Sequence, residues 1–213
     1  MSVVWTIVVA GGAGQRFGQA KQFALLAGRP VVAWSVEAAR PFSAGIVLVL
    51  PPGETDDHGA DIVVEGGPTR SDSVRHGLAQ VPAEVDLIVV HDAARPLASP
   101  ELFAAVIEVV REGQADAAIP GLAVTDTIKA VDASANVVDT LDRSALVAVQ
   151  TPQAFVAELL RRAHYEGSGA TDDAALVEQL GATVRVVPGE ARNLKITTPD
   201  DLRTAERLLG GSP

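Results

Sequence analysis

The apolar run Val3-Val4-Trp5-Thr6-Ile7-Val8-Val9-Ala10 breaks directly into Gly11-Gly12-Ala13-Gly14-Gln15-Arg16-Phe17-Gly18 and then Gln19-Ala20-Lys21. This junction constrains the chain more than any other stretch. A strand that delivers four glycines in eight positions can turn with positive φ and bring its N–H groups close to a ligand, as phosphate cradles require. Arg16 and Lys21 add two cations beside those donors. The alternative is a pair of solvated surface charges, but the surrounding glycines favour a phosphorylated guest.

Three kinds of phosphate loop follow strands in this way, and the neighbouring residues separate them. A Walker loop needs Gly-Lys-Ser/Thr, whereas Gly18 is followed by Gln19 and Ala20, with Lys21 displaced. A dinucleotide fingerprint starts correctly at Gly12-Ala13-Gly14, but Phe17 stands at its third glycine. Its acidic ribose partner, due about 20 residues on, is also missing, because the next strand, Ile46 to Leu50, ends in Pro51-Pro52. What remains, a glycine-rich loop with Arg and Lys, resembles the nucleotidyltransferases that activate sugars and polyols. Such transfers gather negative charge on an α-phosphate and a departing pyrophosphate, so fixed cations and backbone donors lower the barrier.

Composition narrows the class. With 213 residues, 47% hydrophobic and 21% charged, the chain can bury one sizeable core, and residues 1–213 are expected to form a single domain. A net charge of −10 argues against nucleic-acid binding, which demands a basic face, so an anionic substrate must be caught locally. The absence of cysteine removes disulfides, thiol catalysis and cysteine-ligated metals. No basic n-region precedes the first strand and no apolar run reaches a membrane span. The expectation is a soluble, unprocessed, cytoplasmic protein.

Strand-like runs at Val3 to Ala10, Ile46 to Leu50, Ile62 to Val64, Leu87 to Val90, Ala115 to Ile119, Val184 to Val187 and Leu194 to Ile196 alternate with helical patterns. That rhythm indicates an α/β fold, and the continuous hydrophobicity of the runs predicts a mainly parallel, Rossmann-like sheet flanked by helices. Ser99-Pro100 and Thr198-Pro199 read as helix starts with Pro at the first position. Ligands of such sheets lie beyond the carboxyl ends of the strands, so the residues after each run carry the information. Glu65-Gly66-Gly67-Pro68-Thr69-Arg70-Ser71-Asp72-Ser73 leads into a helix; its amides suit a base or phosphate, and Thr69 to Asp72 equally suits a capping box. His91-Asp92-Ala93-Ala94-Arg95-Pro96 places a carboxylate at a strand end, where Asp92 is a candidate for Mg²⁺ shared with triphosphate oxygens. Arg95 is placed to take a second phosphate, and His91 reads as a packing histidine.

Segment 121–143 departs from the βαβ rhythm. Ile128-Lys129-Ala130-Val131 and Val137-Val138 flank the turn-like Asp132-Ala133-Ser134-Ala135-Asn136 and predict a protruding β-hairpin arm. A lone ribbon is marginal, so the arm is expected to pack on a second subunit, the alternative being a fold back onto its own sheet. Thr151-Pro152 and Thr171-Asp172-Asp173 have the form of helix caps, and a capping threonine also lies where an anion would bind. Lys195, a cation inside an apolar run, needs an anionic partner or solvent, and a substrate phosphate is the expected partner.

The loop Ala10 to Lys21, the Gly66-Gly67 to Ser73 segment, His91 to Pro96, Asp126-Thr127-Ile128-Lys129, Asp142-Arg143, Gln150-Thr151-Pro152-Gln153, Ala170-Thr171-Asp172-Asp173 and Asn193-Leu194-Lys195-Ile196-Thr197 occur in order over nearly the whole chain. Together they resemble the 2-C-methyl-D-erythritol 4-phosphate cytidylyltransferase family. That resemblance implies transfer of CMP from CTP to 2-C-methyl-D-erythritol 4-phosphate in the non-mevalonate isoprenoid pathway, with pyrophosphate leaving and no covalent enzyme intermediate. It implies that Arg16 and Lys21 stabilise the transition state and that Arg143 and Lys195 hold the attacking phosphate. Ala10, Gly11, Gly12, Ala13, Gly14, Gly67, Ser73, Asp92 and Ala93 would bind the nucleotide, and Arg95, Thr127, Arg143, Thr151, Thr171 and Lys195 the second substrate. It further implies a homodimer joined through the arm, so that Thr127 and Arg143 serve a neighbour's site. Gly11 and Phe17 stand where the family more often has Ala and Met, and Pro68 replaces a polar or acidic residue. The short stretch after the helix at Asp200 to Leu209 leaves no room for the cyclase domain fused to some relatives, so a monofunctional enzyme is expected. Ribitol 5-phosphate cytidylyltransferase is the rival within enzymes, and a non-catalytic nucleotide-binding regulator is the rival outside them.

Overall fold

The computed structural model of the chain describes residues 2–11, 21–167 and 172–210. Gly12, Ala13, Gly14, Arg16 and Thr171 therefore lie outside the described residues. The chain runs β1 (Val4–Val9), β2 (Leu25–Leu26), β3 (Arg29–Pro30), α1 (Val31–Ala39), β4 (Gly45–Leu50), β5 (Ile62–Glu65), α2 (Arg70–Leu78), β6 (Leu87–Asp92), α3 (Pro100–Arg111) and β7 (Ala117–Ala123). It continues through β8 (Ile128–Val131), β9 (Val137–Leu141), β10 (Val147–Val149), β11 (Gln153–Val156), α4 (Ala157–Glu166), α5 (Asp173–Gln179), β12 (Val184–Pro188) and α6 (Pro199–Gly210).

The main sheet reads β7, β11, β6, β1, β4, β5 across, with β10 and β12 also pairing β7. Pairs β1–β4, β1–β6, β4–β5 and β7–β12 are parallel, whereas β11 runs antiparallel between β6 and β7. The expected mainly parallel sheet is present. β11 is an addition, since Gln153–Val156 follows a Thr-Pro pair that reads as a helix start. The Thr151–Pro152 peptide is cis and lies between β10 and β11, and α4 opens only at Ala157. Leu194 to Ile196, expected as a strand, joins no ladder; its main-chain link to the fold is the Ile196 N–H donating to the Ala94 carbonyl at 2.8 Å.

Burial on both faces explains the unbroken apolar runs. Val4 and Val8 of β1, Ile46, Leu48 and Leu50 of β4, and Leu87 and Val89 of β6 pack with Val32 and Val36 of α1 and Phe103, Val106 and Ile107 of α3. The intervening residues Ile7, Val47, Val49, Ile88 and Val90 pack on the other side with Val74 and Leu78 of α2, Leu160 of α4 and Val177 of α5. Period-two alternation thus gives each strand one apolar set for each helical layer. The helix starts are chemically specified. Thr69 and Asp72 form a complete capping box on α2, and Ser99 accepts from the Leu102 N–H at the head of α3. Thr198 and Asp201 exchange side-chain and main-chain bonds at the head of α6.

β8 and β9 pair only with each other among the described residues. Val131, Val137 and Val138 are 56%, 60% and 63% exposed, so the hairpin does not fold back to bury its valines. Its ladder is shorter than segment 121–143, because Gly121 to Ala123 belong to β7 in the main sheet.

Gly77 shows how tightly α2 is seated. A β-carbon there would stand 2.7 Å from Ile7 Cγ2 and 3.1 Å from Val49 Cγ2, both branch methyls with little rotamer freedom. Alanine favours an exposed helix by about 1 kcal/mol over glycine, but overpacking costs about 1–3 kcal/mol. Gly77→Ala is therefore expected to lower the urea midpoint at unchanged slope, and a raised midpoint would show that α2 is loosely docked.

Candidate active site

The chain passes from β1 outward to β4 and β5, then returns to β6 on the opposite side of β1. Helical connections consequently leave a crevice at the carboxyl ends of β1 and β6, the switch point at which ligands of open α/β sheets bind. A cavity of about 250 Å³ lies there, lined by Ala10 and Gly11 after β1, Lys21 and Gln22, Gly67 to Arg70 and Ser73 at the head of α2, Asp92 at the end of β6 with Ala93 and Ala94 beyond it, and Lys195.

Its walls are shaped by missing side chains. A β-carbon on Gly67 would lie 2.3 Å from Asp72 Cβ, and one on Gly11 would lie 3.0 Å from Ser73 Oγ. Ser73 is buried, donates to the Thr69 carbonyl at 2.9 Å and accepts from the Gly67 N–H at 3.2 Å. Its hydroxyl thereby fixes the glycine turn on which a base could rest. Gln22 Nε2 donates to the Ala10 carbonyl at 2.8 Å, tying together the two ends of the glycine-rich loop.

The charged floor centres on Asp92, which is 8% exposed. Lys195 Nζ donates to its Oδ2 at 2.6 Å and Arg70 Nε to its Oδ1 at 3.3 Å. Burial alone would raise this carboxyl, but the Arg70 and Lys195 charges outweigh it and hold the group well below the ordinary carboxylate range. Lys195 was expected to need a phosphate partner; it has an internal one, and its side chain remains 40% exposed toward the crevice. Arg70 carries no role in the sequence reading. A cation at the first position of a helix opposes the macrodipole, and that misfit was the available signal that Arg70 answers to carboxylates elsewhere.

Four candidates lie outside the cavity lining. Arg95, expected on a second phosphate, donates instead to the Asn193 and Val149 carbonyls at 2.8 and 3.3 Å and does not line the cavity. Thr151 is not a helix cap. Its Oγ1 accepts from the Asp92 N–H at 3.0 Å and lies 3.2 Å from His91 Nδ1, so it braces the strand end that carries Asp92. Thr127 and Arg143 are exposed at the foot of the hairpin, with Arg143 NH1 donating to the Thr125 carbonyl at 2.5 Å, and neither lines the cavity. Lys195 in turn is placed by Gln150 and Asn193, both buried. Gln150 Nε2 donates to the Glu190 carbonyl at 2.9 Å, and Asn193 Nδ2 to the Thr151 carbonyl at 2.9 Å. Among the described residues no three His, Cys, Asp or Glu side chains gather as a metal site.

Residues 4–211 match the family described as "IspD: 2-C-methyl-D-erythritol 4-phosphate cytidylyltransferase". The chain belongs to this family. A Rhodococcus jostii protein named as that cytidylyltransferase is 47% identical over 97% of this chain and 95% of its own. A bifunctional IspD/IspF enzyme of Anaeromyxobacter dehalogenans is 44% identical over 95% of this chain. The chain spans about half the length of that bifunctional relative, 56% of it. The crystal structure of the cytidylyltransferase from Thermus thermophilus superimposes with a TM-score of 0.84 at 37% identity, covering 99% of this chain and 100% of that one. The fold is thus that of the family, with a crevice at the β1–β6 switch point.

Beneath the crevice, His91 is fully buried against Phe103, with ring centroids 5.2 Å apart. Its Nε2–H donates to the Arg95 carbonyl at 3.2 Å, which leaves Nδ1 to accept from the Thr151 hydroxyl. Protonation would set a donor against that hydroxyl in a dry site, and burial pushes the imidazole down to about 4. The unfolded chain binds this proton from its ordinary value of about 6.5 downward, so the unfolded state gains protons first as pH falls. His91 therefore contributes stability that is full above about 6.5 and declines toward pH 4, by up to about 3 kcal/mol. Denaturant melts should show this slope between pH 6.5 and 4.5, and His91→Asn should flatten it; an unchanged slope would place the titration elsewhere.

Proposed function

We propose that the chain transfers CMP from CTP to 2-C-methyl-D-erythritol 4-phosphate, releasing pyrophosphate. The observation that carries this reading is the convergence of Lys21, Arg70 and Lys195 on one crevice beside the Gly67–Ser73 turn, in a chain of this family. The cytosine would rest on the Gly67–Ser73 turn, and the triphosphate would reach across Ala10 and Gly11 into the glycine-rich loop. Lys21, with Arg16, would neutralise the charge that builds on the α-phosphate and leaving pyrophosphate. Lys195, with Arg143, would hold the acceptor's phosphate in line.

An oxygen of that phosphate attacks the α-phosphorus, and the bond to the β-phosphate bridging oxygen breaks. A phosphate monoester is already nucleophilic near neutral pH, so positioning and charge neutralisation suffice without a general base. Asp92 offers a hard oxygen at the cavity wall, but both of its oxygens accept from cations. A Mg²⁺ ion would thus be held chiefly by triphosphate oxygens, with Asp92 as its protein ligand, and would screen the phosphate charge.

Residues 1–213 would act as one nucleotidyltransferase domain in the cytoplasm, with segment 121–143 as its arm. The exposed valines of the hairpin support a homodimer in which the arm brings Thr127 and Arg143 to the partner's crevice. Replacing Val131 and Val138 by Glu should shift sedimentation from dimer to monomer and lower turnover together. A monomeric wild type would refute the arm's role.

Pyrophosphate release with CTP should be measured against 2-C-methyl-D-erythritol 4-phosphate, ribitol 5-phosphate and no acceptor. The first should be preferred; preference for ribitol phosphate would move the enzyme to the rival class, and CTP binding without release would indicate a regulator. Lys21→Ala should lower kcat by about 10²–10³ while CTP affinity changes far less. Equal losses in both would contradict a transition-state role for Lys21.

A further inference from the structure

Behind the crevice, a row of alternating charges continues away from Lys195. Asp92 accepts from Lys195 on one oxygen and from Arg70 Nε on the other. Arg70 NH1 donates onward to Asp173 Oδ2 at 2.7 Å, and His164 Nε2 lies 2.9 Å from Asp173 Oδ1. Five side chains from α4, α5, α2, β6 and the segment before α6 are thus joined through four contacts. Asp173 and His164 are 1% and 2% exposed. Burial raises the Asp173 carboxyl, but the His164 hydrogen bond and the Arg70 charge outweigh it and hold the group below its ordinary value. Asp173 is therefore an anion, and His164 Nε2 must carry the hydrogen. Among the described residues His164 Nδ1 is buried with no partner, and Asp173 is the polar anchor of this ring.

We infer that His164 is a positioning residue for the reaction, acting through Asp173 and Arg70 on the Asp92–Lys195 pair. The geometry gives the reason. A carboxylate in a dry site has two oxygens to satisfy, and His164 takes Oδ1 of Asp173, which leaves Oδ2 to the Arg70 NH1. Held at that end, Arg70 presents Nε rather than a terminal nitrogen to Asp92 Oδ1, and Asp92 Oδ2 is left for Lys195. Without the His164 donor, both Asp173 oxygens compete for Arg70, the guanidinium can move toward α5, and Asp92 draws Lys195 inward from the crevice. A buried network of this kind responds as a unit rather than as separate pairs.

The inference rests on the cytidylyltransferase reading, so its test has one arm that needs no turnover. The chain has three lysines, Lys21, Lys129 and Lys195, which keeps a lysine-labelled NMR spectrum readable; Lys195→Arg assigns the Lys195 side-chain resonance. His164→Leu removes the donor at similar volume, whereas His164→Gln keeps an N–H near the Nε2 position. In His164→Leu the Lys195 resonance should shift and kcat should fall about tenfold or more, with KM for CTP nearly unchanged, as for a small misplacement transmitted to a reacting group. His164→Gln should recover both. An unmoved Lys195 resonance in folded His164→Leu overturns the inference whatever turnover does, as does a shift that His164→Gln fails to reverse. Absence of pyrophosphate release by the wild type would instead refute the proposed function, and the resonance would still decide the role of His164.

Discussion

The crevice depends on one buried anion. Asp92 sits at the end of a central strand with little access to water, where an unpaired carboxylate would be strongly unfavourable. It is tolerable only because Arg70 and Lys195 reach it from two other elements. The requirement runs in both directions: two cations held near each other need an anion between them when no substrate is bound. The same pairing that satisfies Asp92 therefore keeps Arg70 and Lys195 gathered at the crevice in the free chain. Charge is pre-placed there, so a bound anion would meet it with little reorganisation.

Uncharged groups then fix where those charges can stand. Thr151 braces the Asp92 main chain, and the Gln150 and Asn193 amides hold the segment that leads to Lys195. Gln22 closes the base of the glycine-rich loop, and Ser73 shapes the turn opposite. Several of these side chains make bonds to main-chain carbonyls or amides, as suits buried polar groups that must be satisfied away from water. Arg95 belongs with them. Its guanidinium joins the Val149 and Asn193 carbonyls, stitching β10 to the segment before Lys195.

Legibility differed sharply between elements. β1, β4 and β6 were readable because burial on both faces makes a strand uniformly apolar, and the heads of α2, α3 and α6 were readable because their caps are local chemistry. β11 was not. Gln153-Ala154-Phe155-Val156 is a short run behind a Thr-Pro pair, and only its fit between β6 and β7 makes it a strand. Leu194 to Ile196 differs in the opposite sense, since Ile196 is buried with Leu26 and Val31 and Leu194 is half-buried against them without entering a ladder. At the site, Lys21, Gly67, Ser73, Asp92 and Lys195 do line one cavity. Arg70 is not legible in the sequence, because its partners Asp92 and Asp173 lie 22 and 103 positions away, and the Gln22–Ala10 and His164–Asp173 contacts, 12 and 9 positions apart, follow no helix or strand period.

By itself, the sequence determined the alternation of strands and helices, the acid at the end of β6 and the hairpin, because each follows from periodicity, turn chemistry or capping over a few residues. Its ordered motifs also pointed to the family. Only the tertiary structure decided which ions meet. Arg70 and Asp173 are 103 positions apart, as are Lys195 and Asp92, and such pairs are selected by the parallel pairing of β1 with β6 and the packing of α2 against α4, where desolvation favours pairing each buried charge with its opposite.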